Sequence, residues 1–300
     1  MFGKWILLIV CSWFSAGQLL ACDICGSNMS NGGVGLLNPI NQNIFSIKWN
    51  VLSYKGGGVD GPVYRDRFLE WELTGSYYLT GRLKATLGLP VRWNQRNHPS
   101  GRQALSGIGD TRIMLSWQLL KNHALGDSWT LNLEWAAGAK CPTGRFIENI
   151  HDRNLPEHFN LGMGSWGLST QPVLLLEYRN TGFLLSPNVM HFSSSSSGYR
   201  FGDQFSLQSL CYWDIPNDSG WNWMPYGGLH YEKIRTDRYA SDWPVSGTGG
   251  QGLLAVAGIN VKHGSWMSGA SVAHPVAQEY SGGAADLGTK FSCHISYLFN

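Results

Sequence analysis

Charge is scarce in this 300-residue chain: Asp, Glu, Lys and Arg make up 14% of it, against about a quarter in ordinary soluble domains. The net charge is +2 and no Lys/Arg cluster occurs, so the chain lacks the footprint of a nucleic-acid binder. Beyond the leading segment no stretch approaches the roughly twenty apolar residues of a membrane helix. Any structure that spans a bilayer here is therefore a closed barrel. Cysteine does not supply a framework either. Of six, Cys11 lies in the leading segment, Cys22 and Cys25 form a C-x-x-C pair, and Cys141, Cys211 and Cys293 are scattered. A single pair falls short of a metal-ligand set, so neither a cofactor nor a metal is expected.

What is abundant is glycine, with 38 residues, and aromatic side chains, at 13%. Together they point to one β-rich body rather than a soluble α/β chain. Met1–Ala21 reads as a cleaved secretory signal peptide: Lys4, the apolar run Trp5–Val10, then small residues at Ser15–Gly17. Leu19-Leu20-Ala21-Cys22 also resembles a lipobox, which would acylate Cys22, whereas Asp23 resembles a signal for retention at the inner membrane. Cys22 and Cys25 are thus candidates for a disulfide, lipidation or a metal, in a periplasmic segment 22–42 ahead of the body 43–300. An oxidising periplasm permits the disulfide.

The body alternates. From Ile44 to Tyr54, Phe45, Ile47, Trp49 and Val51 are interleaved with Ser46, Lys48 and Asn50. The pattern recurs at Leu69–Leu79, Leu83–Trp93, Ile113–Leu119, Trp129–Ala139, Trp166–Tyr178, Phe201–Trp213, Trp221–Tyr231, Leu253–Val261, Trp266–Val276 and Phe291–Phe299. Phe183–Ser193 is less clean, because Leu184, Met190 and Phe192 compete with the odd register. Each run is about the ten residues that a tilted transmembrane strand requires.

The reading is an all-β fold: a single antiparallel transmembrane β-barrel of about twelve strands. Short connections (80–81, 121–127, 179–182, 214–220, 262–265) alternate with longer ones (55–64, 94–106, 140–163, 233–250, 277–289), and only 193–198 is brief for its class. That order puts both termini in the periplasm of a bacterial outer membrane. Outer-membrane lipid, lipopolysaccharide and the barrel-insertion machinery are then the expected partners, the last because Phe299 stands next to last in an aromatic final strand.

With odd positions facing lipid in most strands, the lumen receives Lys48, Glu70, Glu72, Lys84, Arg92, Arg112, Glu134, Glu177, His230 and His294. Both signs occur, so neither a strong anion filter nor a strong cation filter is expected. About twelve strands leave a narrow lumen, since eight are filled by side chains and sixteen stand open. The bland reading of these charges is ion pairing across the lumen; the sharper one is a polar path for a small solute. Glu148, His151, Asp152, Glu157 and His158, between Arg145 and Phe159, match no rigid metal spacing and read as a solvated loop.

Five short motifs occur in order: Cys22-Asp-Ile-Cys-Gly26, Gly107-Ile-Gly-Asp110, Cys141-Pro-Thr-Gly-Arg-Phe146, Gly162-Met-Gly-Ser-Trp166 and Gly198-Tyr-Arg-Phe-Gly-Asp203. They resemble outer-membrane transporter barrels of Bacteroidota, related to the group named after the meta-pathway of phenol degradation. The resemblance implies transport of an unassigned small molecule rather than an enzyme. Relatives often carry another Cys where Ser27 stands, which weakens a metal site in that segment. Two other functions are weighed. One is a closed structural or binding barrel whose N-terminal C-x-x-C segment docks a partner or a metal. The other, more remote, is an outer-membrane phospholipase using His191 and Ser193, with Asp203 orienting the imidazole; the serine run Ser193–Ser197 reads more simply as a turn.

Overall fold

The computed structural model describes residues 42–57, 63–99, 101–239 and 242–300; the expected signal peptide and the C-x-x-C segment lie outside them. The strands are β1 (Asn43–Gly56), β2 (Tyr64–Tyr78), β3 (Leu83–His98), β4 (Gly101–Ile108), β5 (Arg112–Ala124) and β6 (Trp129–Lys140). They continue with β7 (Gly167–Tyr178), β8 (Thr181–Phe192), β9 (Gln204–Trp213), β10 (Ile215–Pro216), β11 (Trp221–Ile234), β12 (Arg238–Tyr239) and β13 (Trp243–Pro244). β14 (Gly250–His263), β15 (Trp266–Tyr280), β16 (Ala285–Leu287) and β17 (Lys290–Phe299) complete the set.

Neighbouring wall strands pair antiparallel, and β1 pairs with both β16 and β17, which closes the sheet. β4 and β5 are two pieces of one wall strand along β3, and β16 and β17 are two pieces of another. The wall therefore has twelve strands. β10 lengthens a turn, and β12–β13 is a separate small hairpin in a loop.

The alternation dictates which side of the wall meets what. Phe45, Trp71, Trp117 and Ile295 are 50%, 55%, 53% and 59% exposed, while the intervening Lys48, Glu70, Ser116 and Ser296 are buried. Apolar side chains encircle the outside and polar ones turn in. An uninterrupted apolar belt of this kind has no place on a water-soluble protein and is the lipid face of a membrane barrel. At the short-turn end the aromatics Trp129 and Tyr178, Trp266 and Tyr297 stand together at ring-centroid distances of 4.8 and 5.1 Å, as interfacial girdles do.

Several boundaries differ from those read in the sequence. Residues 94–106, expected as a loop, are mostly strand, because β3 runs to His98 and β4 starts at Gly101. β5 runs to Ala124, β15 to Tyr280, and β9 begins only at Gln204 rather than near Phe201. Alternation marks a strand only while lipid lies outside it. Above the belt the outward residues become Arg65, Arg67 and Asn97 while Tyr64 and Phe68 turn inward beside Asp66, so the apolar-outside pattern ends although the ladder continues.

The larger correction concerns the connection between β6 and β7, whose stretch from Arg145 to Phe159 reads as a solvated loop. Two short 3-10 turns, Ile150–Arg153 and Glu157–Phe159, fold into the barrel, and Ile150, Leu155, Phe159 and Leu161 are at most 2% exposed. Glu157 and His158 are buried with them. The acids and histidines had drawn attention; the aliphatic and aromatic residues between them decide the outcome. They pack on an apolar inner wall that includes Leu52, Tyr54, Phe68, Leu210, Leu254 and Tyr280. The untidy register of β8 has the same cause: Met190 and Phe192 point inward onto Met163, Tyr199 and Phe201.

Candidate functional site

The interior has two unlike walls. Ladder register brings the charges of β1–β6 together: Lys48 lies opposite Glu72 on one side and His294 on the other, and Glu70 lies opposite Arg92. Arg92 Nε donates to Glu70 at 2.8 Å, and Asn50 donates to the same carboxylate at 3.5 Å. Arg112 pairs closely with Glu72 and stands 4.0 Å from Glu70. Among the described residues, no carboxylate oxygen comes within 4.0 Å of Lys48 Nζ, although that side chain is 4% exposed. The network thus holds one cation more than its carboxylates pair directly.

The other predicted lumen residues do not join this cluster. Lys84 and Glu134 form a separate pair at 3.0 Å toward the short-turn end. Glu177 accepts from Tyr212 Oη at 2.6 Å and from Asn132 at 3.2 Å. His230 lies 3.4 Å from Glu232 on the opposite side of the barrel, where Glu232 also takes Lys290 at 2.9 Å and the hydroxyl of Tyr280. His294 Nε2 is buried without a hydrogen-bond partner among the described residues. All ten side chains occupy the inward register, but they form several groups rather than one site.

Asp66, Arg96, Lys140, Glu232 and Lys290 are further inward charges that the sequence reading missed. Arg96 grips Asp66 with a two-pronged contact at 2.7 and 2.6 Å, and its guanidinium lies 4.2 Å from the centre of the Tyr64 ring. Each of the five stands at or beyond the end of an apolar–polar run, where outward polarity hides the register. Burying such pairs adds little over an apolar core, but removing one partner is costly, about 3–5 kcal/mol. The second wall, formed by β7–β9, β11 and β14, is less charged: Gln171, Leu175, Ser186, Leu210 and Val256 face in, with Glu177 and the His230–Glu232 pair among its charged side chains.

Two buried aspartates tie the inward loop to this frame. Asp110 Oδ1 accepts the Gly144 N–H at 3.0 Å, Oδ2 accepts the Met163 N–H at 2.8 Å, and Lys140 Nζ lies 3.5 Å from Oδ2. Three of the glycine motifs thus meet at one carboxylate. The approach needs glycine, since a β-carbon at Gly162 would stand 2.7 Å from the Gly144 carbonyl carbon. Asp237, which no motif announced, does the same for the loop tip. It accepts from Tyr199 Oη at 2.6 Å and from Gly202 N at 2.6 Å, and its carboxylate lies 2.8 Å from His158 Nε2. Asn94 adds a bond to the Phe159 carbonyl at 2.8 Å, and Arg92 one to that of Leu161 at 3.1 Å.

On the outside, His191 Nδ1 lies 2.8 Å from Asp203 Oδ1, the carboxylate–imidazole half of a triad. Ser193 instead accepts the Trp166 N–H at 3.0 Å, and no hydrogen bond joins it to His191 among the described residues. The contact that would activate a nucleophile is missing. Nor is any group of three His, Cys, Asp or Glu side chains among the described residues placed to hold a metal ion.

Fold and interior define a closed twelve-stranded barrel of the integral outer-membrane class. No protein-family model and no curated protein matches the sequence. Among solved structures, an outer membrane channel from Pseudomonas putida F1 aligns over 88% of this chain and 100% of its own, with a TM-score of 0.63 and 12% identity. The β domain of the Bordetella autotransporter BrkA aligns over 86% and 100% with a TM-score of 0.47 and 12% identity, and the porin NanC over 85% and 99% with a TM-score of 0.43 and 10% identity. At these identities the likeness is one of fold.

Proposed function

We propose that the chain is an outer-membrane pore or transporter for a small solute, with both termini in the periplasm. The observation that carries this reading is the pairing of a lipid-facing apolar belt with a two-walled interior, densely charged on β1–β6 and sparsely charged on β7–β9. Such a lumen suits a solute with an apolar body and a single polar or ionic group, the second recognised by the Lys48–Arg112 cluster. Fold likeness to the Pseudomonas channel, and the glycine motifs meeting at Asp110, support membership of the barrels related to the phenol meta-pathway group. A groove of about 690 Å³ at the loop end, lined by Arg200, Lys233, Arg235 and Arg238 together with Asp203 and Glu279, carries a cationic excess that suits the phosphates of lipopolysaccharide. Reconstitution into planar bilayers tests the pore: conductance steps and solute flux are expected, and their absence under every condition refutes it.

The inward loop favours a second reading, a closed barrel whose segment 22–42, with Cys22 and Cys25, docks a periplasmic partner. Deleting that segment would then abolish function while insertion and conductance stayed as before.

A further inference from the structure

On the β1–β17 ladder three inward pairs follow one another: Ser46↔Ser296, Lys48↔His294 and Asn50↔Ser292. The first and last are closed. Ser46 and Ser296 share a hydrogen bond at 2.9 Å, and Ser292 Oγ bonds the side-chain oxygen of Asn50. The pair between them is not closed. Among the described residues His294 Nε2 is buried without a hydrogen-bond partner, and neither a hydrogen bond nor an ion pair engages Lys48 Nζ. The two side chains are 8% and 4% exposed, so little water reaches them.

The flanking strands do not supply what is missing. Glu72 lies opposite Lys48 on β2, but its carboxylate accepts from Thr74 Oγ1 at 3.1 Å and pairs closely with Arg112. Glu70 already holds Arg92 at 2.8 Å, so two carboxylates face three cations. On the other side Gly269 of β15 lies beside His294, with Asn260 beyond it. A β-carbon at Gly269 would collide with the Asn260 amide oxygen and stand 2.5 Å from His294 Cε1, so the absent side chain gives the imidazole its place. A dehydrated ammonium without an anion is costly, and an ionisable group inside a membrane barrel that pairs with nothing points to a ligand. A serine or asparagine, as in the pairs above and below, would close the ladder without that cost.

The count of charges sets the chemistry of that ligand. The excess is one positive charge, which a monoanion balances; a dianion would leave its second charge beside Glu70 and Glu72. Directly opposed residues have β-carbons about 4.5–5.5 Å apart, so an ammonium and an imidazole N–H on one rung can reach the two oxygens of a single carboxylate. We propose that Lys48 and His294 form a binding subsite for the carboxylate of a monoanionic solute. Lys48 meets the charge, and His294, as the neutral Nε2–H tautomer, donates to the second oxygen. The inference rests on the pore reading for this solute to be the one transported, but the subsite itself is tested without conduction.

Calorimetric titration of the purified full chain in an uncharged detergent at neutral pH uses sodium benzoate as the probe, with benzyl alcohol, phenyl phosphate and sodium chloride as comparators. Benzoate should bind at one site about tenfold more tightly than any of the three. Lys48→Gln should weaken it about tenfold and His294→Leu about fivefold, whereas His294→Gln, which keeps a donor there, should stay within about twofold of the wild type. Equal affinity of the wild type for benzoate and benzyl alcohol overturns the subsite without recourse to any variant, as does undiminished binding by a folded Lys48→Gln barrel. Planar-bilayer conductance of the same preparation separates the two readings. A barrel that binds benzoate with this preference but never conducts refutes the pore and supports the subsite; one that conducts but ignores benzoate does the reverse.

Discussion

Replacing Asp110 with alanine should release the inward loop. The carboxylate accepts two backbone N–H groups, from Gly144 and Met163, and lies beside Lys140; it is 1% exposed, so solvent does not screen it. A hydrogen bond to a charged group contributes about 1.5–3 kcal/mol, so the two together hold the loop by about 3–6 kcal/mol. Even the lower figure raises the released population by roughly two powers of ten. The change leaves the lipid belt untouched, so insertion should proceed as in the wild type. Single-channel recording should show larger and noisier conductance, and trypsin should cleave after Arg145 or Arg153, bonds whose cleavage requires the loop to leave its packed conformation. An Asp110→Ala barrel with wild-type conductance and wild-type resistance to trypsin would refute the idea that this carboxylate holds the loop in place.

Three other substitutions probe the belt and the charged wall. Leu87→Arg, at an outward position 45% exposed, should cost about 2–4 kcal/mol of folding stability in bilayers, whereas at a water-exposed site the change would stay within about 0.5 kcal/mol; urea titration into vesicles reads the difference. Lys48→Gln removes the cation that lacks a close carboxylate, so the reversal potential in a salt gradient should move toward cation preference, and a shift the other way would sink the charge assignment. Lys84→Met and Glu134→Gln should each destabilise by about 3–5 kcal/mol, with the double variant recovering most of the loss; additive losses would mean the pair does not act as one unit.

The wall was legible from particular residues. Phe45, Ile47, Trp49 and Val51 against Ser46, Lys48 and Asn50 state both the strand and its inner face, because a two-residue period is all a ladder exposed to lipid requires. The same period puts the ten candidates in the inward register. Asp66, Arg96 and Lys140 escaped because their outward neighbours are not apolar enough to mark a face, or because the run had ended by then. Asp237 escaped for a different reason: it lies in a loop, and its role comes from His158, 79 positions earlier, and Tyr199, 38 positions earlier.

Local pattern alone therefore decided that the chain forms a barrel of about twelve strands, apolar outside and polar within, since each strand meets lipid and lumen independently of the others. Tertiary structure alone decided how the charges pair and that residues 141–166 fold inward around Asp110. Those outcomes depend on ladder register and on contacts between segments far apart in the chain, and neither leaves a period in the residues that take part.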